Sequence, residues 1–553
     1  KEDGKENELI QVQKPREILL KKWPKIDLII FIGSIAASIR IINSFLTSKD
    51  QDPGVIVIDN KCSKIVPLIG LHQSNTQNIA CQIANLLGGE IIETNNSNDQ
   101  SFLNLDAFGN QWGWKRSGKI NDWSKLVIKQ AKNEEIFCKQ LSGNSLWKTS
   151  ESAEIINQID KKETEKPDST FHVSIFENHG TTWHPPVLWI GIGCERNTSK
   201  ELIANSLNNL LESRNLSKYS IAGLATVDIK KDEKGILELA EEKNLPIKFF
   251  SKEDLSTIIV PNPSNVVQKE IGTPSVAEAS CLLAAGEESK LLEEKRIFKN
   301  QSGAVTIAVA ESKNQYNPTH GEIHIIGSGP GDISFLTNNA RKALSRCTVW
   351  IGYKMYLDLI KPIKRNDQVL IESKLTEEKE RCSKAIKLAE EGIKVALISS
   401  GESGFYGMAG LLLELLQKIK KEYRPYFEVH PGISSVQLAA AISGAPLMND
   451  FCSVSLSDKL TPWSLIEKRI EGALVGDFVI ALFNPQSIER NWQLKSVIDI
   501  CLQSRHGDTP VLIARQVGRE NQTKKFFTLN TIPFKEIDML SIIIIGNSQT
   551  TLV

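Results

Sequence analysis

Short apolar runs that break into glycine turns and lead into helix-period segments recur along the chain. That pattern reads as strands alternating with helices in α/β layers. The clearest case is Glu322–Asp332, EIHIIGSGPGD. Ile323, Ile325 and Ile326 form a buried-strand pattern, and Gly327-Ser328-Gly329-Pro330-Gly331-Asp332 ends it. Three glycines in five positions free the backbone, so peptide N–H groups can approach a ligand closely. Thr337 is a good N-cap for a helix through Ala340, Leu344 and Cys347. The theme repeats twice: Val395–Ile398 runs into SSGESGFYGMAG (Ser399–Gly410) and a helix Leu411–Ile419, and Tyr426–Val429 runs into His430-Pro431-Gly432.

The front of the chain alternates in the same way. Leu28–Ile32 reads as a strand, followed by a helix through Leu46, a strand Val55–Ile58 and a helix from about Asn75 to Leu87. After a gap come strand Val187–Cys194, a helix opened by a Thr198/Glu201 capping box, strand Ile221–Val227, helix Lys234–Glu242 and strand Ile247–Phe250. A late helix Ser275–Gly286 and strand Val305–Ala310 close that segment. Residues 96–186 say least. They hold a tryptophan cluster (Trp112, Trp114, Trp123) and a charge-rich stretch, Asn144–Ser169, that reads as a linker or mobile excursion. Glu311–Gly321 reads as a polar hinge.

Turn chemistry narrows the ligand of the Glu322 segment. A dinucleotide fingerprint needs a helix at the third glycine and an acid about twenty residues on; here the helix starts late and Val349–Gly352 occupies that place. The Gly-Lys-Ser/Thr of a phosphate loop is absent from the turn. Asp332 puts a carboxylate where a phosphate binder wants a cation, which suits a ligand with a hydroxyl or cationic end, such as S-adenosylmethionine.

Composition adds limits. At 553 residues the chain is long enough for three or four domains, with 41% apolar and 24% charged residues. Its 66 basic and 66 acidic side chains cancel, so no footprint for nucleic acid or an anionic membrane follows. Nine scattered cysteines without a CxxC pair fit free thiols in a reducing cytoplasm. The apolar run Leu28–Ile39 is shorter than the ~20 residues of a membrane helix, and no signal-peptide pattern is visible. The chain opens on Lys1 rather than methionine, which leaves its true start open. His172, His179 and His184 are irregularly spaced, and His320 and His324 flank a strand start without sharing a helical face. No metal site is assigned.

Together with HPGISSVQLAAAISGAPLMNDF (His430–Phe451), SLSDKLTPW (Ser455–Trp463), FNPQS (Phe483–Ser487) and DMLSIIIIGNSQT (Asp538–Thr550), the Glu322 and Ser399 blocks resemble the tetrapyrrole methylases of the cobalamin pathway. The nearest likeness is to precorrin-3B C(17)-methyltransferase, and it runs from about Glu322 to the C-terminus. The resemblance implies two α/β subdomains, about 322–430 and 431–553, with S-adenosylmethionine folded in the cleft between them. It would be held by Gly327, Gly329, Pro330, Gly331 and Asp332, and by Ser400, Gly401, Glu402, Gly404, Tyr406, Gly407 and Met408. A methyl group would pass to ring carbon 17 of a corrin precursor, with or without cobalt, and the ring would contract. Tyr353, Lys459, Arg490, Arg515 and Arg519 are the substrate candidates, and Asp458 and His430 the acid/base candidates. SSGESG departs from the family with Glu402-Ser403 where Asp-Pro is usual. A homodimer through the methylase domain is implied as well.

The front half resembles cobalt-precorrin-5A hydrolase. Arg40–Asp59 and Pro67–Glu90 match its N-terminal part, expected as domain 1–95; GIGCERNTS (Gly191–Ser199) and Ile271–Gly286 match its C-terminal domain, expected at 187–312. Residues 96–186 are then a central region and linker. The family's Gly-His-x-Gly-Gly-Ala-Asn survives as Gly70 and His72, followed by Ser74-Asn75-Thr76-Gln77. Losing both glycines removes close backbone approach, so the site is either remodelled or no longer catalytic. Arg40, His72, Cys194 and Arg196 are its candidate residues, although no partner histidine supports Cys194 as a nucleophile. The alternative readings are another methylase-fold enzyme, acting on a different ring carbon, an RNA ribose or a modified protein histidine, and a front half that only binds corrin intermediates. Neutral charge argues against RNA.

Overall fold

The computed structural model describes residues 15–23, 26–47, 52–70, 76–92, 102–159, 167–301, 303–448, 450–459, 461–487 and 491–552. His72, Ser74, Asn75 and Arg490 lie outside them. Two compact units are present, Lys1–Gln100 and Ser101–Val553.

In the first unit β1 (Leu28–Ile32), β2 (Gly54–Ile58), β3 (Lys64–Ile69) and β4 (Glu90–Ile91) form one sheet in that order. Val55 and Val57 point to Trp23 and Ile42 on one face, while Ile56 and Ile58 meet Ala80 and Ala84 on the other. Both faces are covered, so β2 is apolar throughout rather than alternating. Arg40 lies exposed on the helix Ile35–Ile42, which Ser34 caps.

The second unit begins with a correction. Residues 102–159 and 167–184 are a folded layer: β5 (Lys115–Ser117), β6 (Ile136–Gln140), β7 (Ile156–Gln158), β8 (Thr170–Val173) and β9 (Thr182–His184) pair in the order β5-β9-β8-β6-β7. Leu146–Thr149 and Glu151–Ala153 are short helices, so Asn144–Gln158 is not a mobile linker. Five tryptophans, Trp112, Trp114, Trp123, Trp147 and Trp183, are almost fully buried there. Polar residues in this stretch misled the reading because they serve fixed hydrogen bonds, such as Gln140 Oε1 accepting from Trp147 Nε1 at 3.0 Å.

Next come β10 (Leu188–Cys194), β11 (Ile221–Val227), β12 (Ile247–Phe250), β13 (Lys290–Asn300) and β14 (Gly303–Glu311), ordered β12-β11-β10-β14-β13. The hairpin strand β13 was not foreseen, because charges interrupt its alternation. The helix after β10 is Lys200–Ser213, capped by Ser199, which accepts from Leu202 N at 3.2 Å; Thr198 instead donates to Glu195 O at 2.9 Å. The cap therefore falls one residue later than the Thr198/Glu201 box.

Residues 322–552 carry two further sheets. β15 (Glu322–Gly327), β16 (Val349–Tyr353), β17 (Val369–Ser373), β18 (Lys394–Ser399) and β19 (Tyr426–His430) are all parallel, ordered β17-β16-β18-β15-β19. β20 (Phe451–Ser455), β21 (Val479–Phe483), β22 (Pro510–Arg515), β23 (Thr523–Thr528) and β24 (Ser541–Ile545) form a mixed sheet ordered β20-β21-β24-β22-β23.

The tryptophan layer and the β15–β19 sheet share one apolar core, which includes Trp147, Phe171, Ile323, Ile325, Leu388 and Leu412. Gln315 binds this joint: its amide donates to Trp112 O and Glu391 O at 2.7 Å each, and its oxygen accepts from Trp114 Nε1 at 2.7 Å. The polar segment Glu311–Gly321 is thus a packed seam, not a hinge. Its polarity is used internally.

Candidate active site

β15 and β18 are central parallel strands, and their carboxyl ends carry the two glycine loops; open parallel sheets place ligands at such ends. The cleft above them is lined by Pro330, Ser400, Gly401, Glu402, Phe405 and Tyr406. On the opposite side stand Phe483, Asn484, Gln516, Val517, Arg519 and Met539 to Ile542 of the second sheet.

The glycines serve loop-to-loop contact first. Gly329 and Gly401 form an antiparallel bridge, with N–H···O distances of 3.1 and 2.8 Å, both at positive φ (79° and 67°). A Cβ on Gly327 would fall 2.6 Å from Gly432 N. The bridge draws the two loops into one floor, and the cleft opens above it.

Three non-glycine residues of the lining hold left-handed backbone: Tyr406 (φ 59°), Asn484 (φ 52°) and Gln516 (φ 51°). Such conformations cost about 1–2 kcal/mol in a non-glycine residue and cluster at ligand sites. Tyr406 is held there by its hydroxyl, which donates to Ser453 O at 2.9 Å across the cleft, and by ring contact with Phe483 at 5.1 Å. Phe405 meets Phe483 edge-on at 5.1 Å. Sequence reasoning missed Phe405, Phe483, Asn484 and Gln516. Only Asn484-Pro485 carried a signal, as a turn-forming pair.

The other candidates are dispersed. Asp332 caps a short turn by accepting from Ser334 N at 2.7 Å, and these Ser334 contacts hold its carboxyl below the ordinary value. Glu402 folds back to accept from Gly404 N at 2.7 Å. Gly407 is exposed and turns tightly on Ser403, while Met408 is buried with its sulfur 3.5 Å from Arg381. Tyr353 packs against Tyr356, which lines the cleft. Arg519 reaches Pro330 O (3.4 Å) and Met355 Sδ (3.3 Å), and burial lowers its pKa. Arg515 is tied to Asp538 at 2.8 Å. Asp458 accepts from Gln493 at 3.1 Å, and Lys459 is exposed. His430 turns its Nε2 to His324 Nδ1, 2.9 Å away.

The lining fits an adenosyl sulfonium by its donor set. Hydroxyls of Ser400, Ser434, Ser435 and Ser541, amides of Asn484 and Gln516, and the Glu402 carboxylate line a cleft with aromatic walls. Arg519 is the one cation among the described lining residues, so a polyphosphate would lack counter-charge, whereas a flat purine and a positive sulfur would not.

In the front half, Cys194 ends β10 with its thiol pushed up to about 11, chiefly by burial, which leaves it protonated and weakly nucleophilic. Arg196 pairs with Asp232 at 2.5 Å and donates to Ile229 O at 2.7 Å. A wider groove runs along Leu291–Arg296, where Glu293 binds both Arg214 and Arg296. Those ion pairs, with Glu294 and Lys295 both hydrogen-bonded to Asn262, account for its charged wall, and its lining has no glycine or left-handed residue of the kind seen in the cleft.

Over residues 322–533 the chain matches the tetrapyrrole (corrin/porphyrin) methylases. It matches the cobalamin synthesis G N-terminal family over 17–98 and the cobalamin synthesis G C-terminus over 188–310. It is 43% identical over 228 residues to the "Probable cobalt-factor III C(17)-methyltransferase" of Salmonella typhimurium, covering 41% of this chain and 93% of that protein. Identity to a cobalt-factor III methyltransferase of Priestia megaterium is 44% over 232 residues, 42% of this chain, and the chain spans only 43% of that protein's length. A cobalt-precorrin-5A hydrolase of Priestia megaterium is 30% identical over 306 residues, covering 51% of this chain and 78% of that protein.

Proposed function

Since this chain belongs to the tetrapyrrole methylases of cobalamin synthesis, joined behind a cobalt-precorrin-5A hydrolase-type front half, we propose that it methylates carbon 17 of a precorrin-3B or cobalt-factor III type tetrapyrrole, with ring contraction. The observation that carries this reading is the cleft between the two methylase sheets, floored by the Gly329–Gly401 bridge and strained at Tyr406, Asn484 and Gln516. S-adenosylmethionine supplies an electrophilic methyl group when bound.

The chain's own contribution is approach and alignment. Gly329, Gly401 and Ser400 present backbone and hydroxyl groups to the adenosyl ligand, and Phe405, Tyr406 and Phe483 exclude water beside it. Tyr353 and Arg519 stand at the cleft's edge for the substrate's face and carboxylates, with Lys459 and Arg490 as further carboxylate partners. Arg515 serves indirectly, by holding Asp538 ahead of the Met539–Ile542 wall. Asp458 and His430 remain the proton-transfer candidates for contraction. On this reading the chain works in the cytoplasm and as a homodimer through the methylase domain.

The test is incubation of the full chain with S-adenosylmethionine and either the metal-free or the cobalt-bearing trimethylated precursor. One added methyl group in the product mass, with the ring-contracted spectrum, is expected for at least one of them. Neither precursor gaining mass overturns the reading. Size-exclusion chromatography checks the dimer.

A further inference from the structure

Sequence spacing gave His324 no metal role, because it shares no helical face with another histidine. The partners come instead from the neighbouring strand. β15 and β19 run parallel with His324 opposite Glu428 and Ile326 opposite His430. Side chains alternate along a strand, so His324, Glu428 and His430 project from the same face.

Three donor atoms converge there. His324 Nδ1 lies 2.9 Å from His430 Nε2 and 4.0 Å from a Glu428 oxygen, and that oxygen lies 3.8 Å from His430 Nε2. A triangle with these sides has a circumradius of about 2.1 Å, which is the bond length of Zn²⁺ to imidazole nitrogen or carboxylate oxygen. His324 is prepared from behind. Its Nε2 meets the Glu322 carboxylate at 2.8 Å, and Lys394 holds Glu322 at 2.6 Å. That contact keeps the proton on Nε2 and leaves the Nδ1 lone pair toward the cluster, the arrangement in which an outer carboxylate orients a metal-bound histidine.

We propose that His324, His430 and Glu428 form a site for a divalent transition-metal ion of the Zn²⁺ or Co²⁺ class, with Glu322 as its outer partner. Two imidazoles and one carboxylate suit borderline ions better than Mg²⁺ or Ca²⁺, which take oxygen donors. The His324 and His430 side chains are 1% and 8% exposed and the Glu428 side chain 47%, so the ion can enter, and keep an open position, on the Glu428 side. Arg346 and Lys394, the nearby cations, pair with Glu322. A bound ion ties edge strand β19 to β15 just ahead of Gly432, which packs on Gly327 and Gly401. An ion bound at His430 Nε2 takes that nitrogen out of proton transfer and leaves the role to Asp458, and the binding test does not depend on methyl transfer.

The test uses the untagged full chain, stripped with a chelator and titrated with Zn²⁺ by calorimetry and with Co²⁺ by visible absorption. One equivalent should bind, with the d–d bands of a low-coordinate nitrogen–oxygen site and no thiolate charge-transfer band, and it should raise Tm. His324→Ala and His430→Ala should abolish binding. Glu428→Gln, at a half-exposed position that spares the fold, should weaken it at least tenfold, and Glu322→Gln about 10–100-fold. Should His324→Ala not fold, the Glu428→Gln and Glu322→Gln titrations decide. Absent stoichiometric binding, a thiolate band, or affinity unchanged in Glu428→Gln and His430→Ala would each overturn the proposal.

Discussion

Gly331 lies so close to Gly518 that a Cβ on the first would come within 2.1 Å of the second's carbonyl oxygen, which also accepts from Asp332 N at 2.6 Å. This contact sets the spacing of the two methylase halves across the cleft. Gly331→Ala should force them apart, cost about 1–3 kcal/mol of stability and weaken S-adenosylmethionine binding at least tenfold. Calorimetry and chemical denaturation measure both; unchanged affinity would mean that the spacing does not matter.

Tyr406 separates strain from binding. Tyr406→Gly releases the left-handed backbone penalty but removes the ring and its bond to Ser453. Stability should therefore move by less than about 1 kcal/mol, while cofactor affinity falls tenfold or more. Tyr406→Phe, which keeps the ring, should retain most of that affinity. Equal losses in the two variants would assign the effect to the hydroxyl.

A fragment starting at Thr319 should self-associate or precipitate. Cutting there uncovers the shared core and strips Glu391 and Asp367 of partners supplied by Gln315, Asn144 and Gln111. A fragment starting at residue 102 keeps those contacts and should run as a single sharp species on size exclusion. A monodisperse, active 319–553 fragment would contradict this.

Lys248 lies over the rings of Trp189 (4.2 Å) and Tyr316 (4.5 Å), and burial lowers its pKa to about 8. The folded state thus releases this proton earlier than the unfolded chain does, at about 10.4. Stability should rise with pH between those two values, because there the unfolded state holds more protons. Urea midpoints at pH 7.5 and 10 should differ by less in Lys248→Met than in the parent.

In the front half the hydrolase motif is broken after His72, and Cys194 is protonated. Hydrolysis of cobalt-precorrin-5A by the full chain, followed by product mass, should be weak or absent. Robust hydrolysis that vanishes in His72→Ala would restore a second active site.

Much of this was legible because parallel strands announce themselves. Ile323 and Val395 sit in apolar runs that lead into glycine turns, and each became a strand ending at the cleft. What stayed hidden depends on pairing between distant segments. Residues 144–158 looked like a linker because a buried polar side chain and a solvated one are the same letter until Gln140 is seen to hold Trp147. His324 and His430, 106 positions apart, meet only because β19 lies beside β15. Phe405 and Phe483 likewise needed two sheets to face each other. Sequence periodicity reports which way a side chain points, not what comes to meet it.

The core that joins Trp147 and Phe171 to Leu388 and Leu412 ties the methylase to the layer in front of it in heat as well as in space. A cooperative unit melts as far as its shared packing extends. The tryptophan layer and the first methylase sheet should therefore melt in one calorimetric transition. Warming should extinguish methyl transfer and any chemistry that depends on the tryptophan layer together, and a cavity made at Trp147 should lower the inactivation temperature of an active site to which that residue contributes no atom.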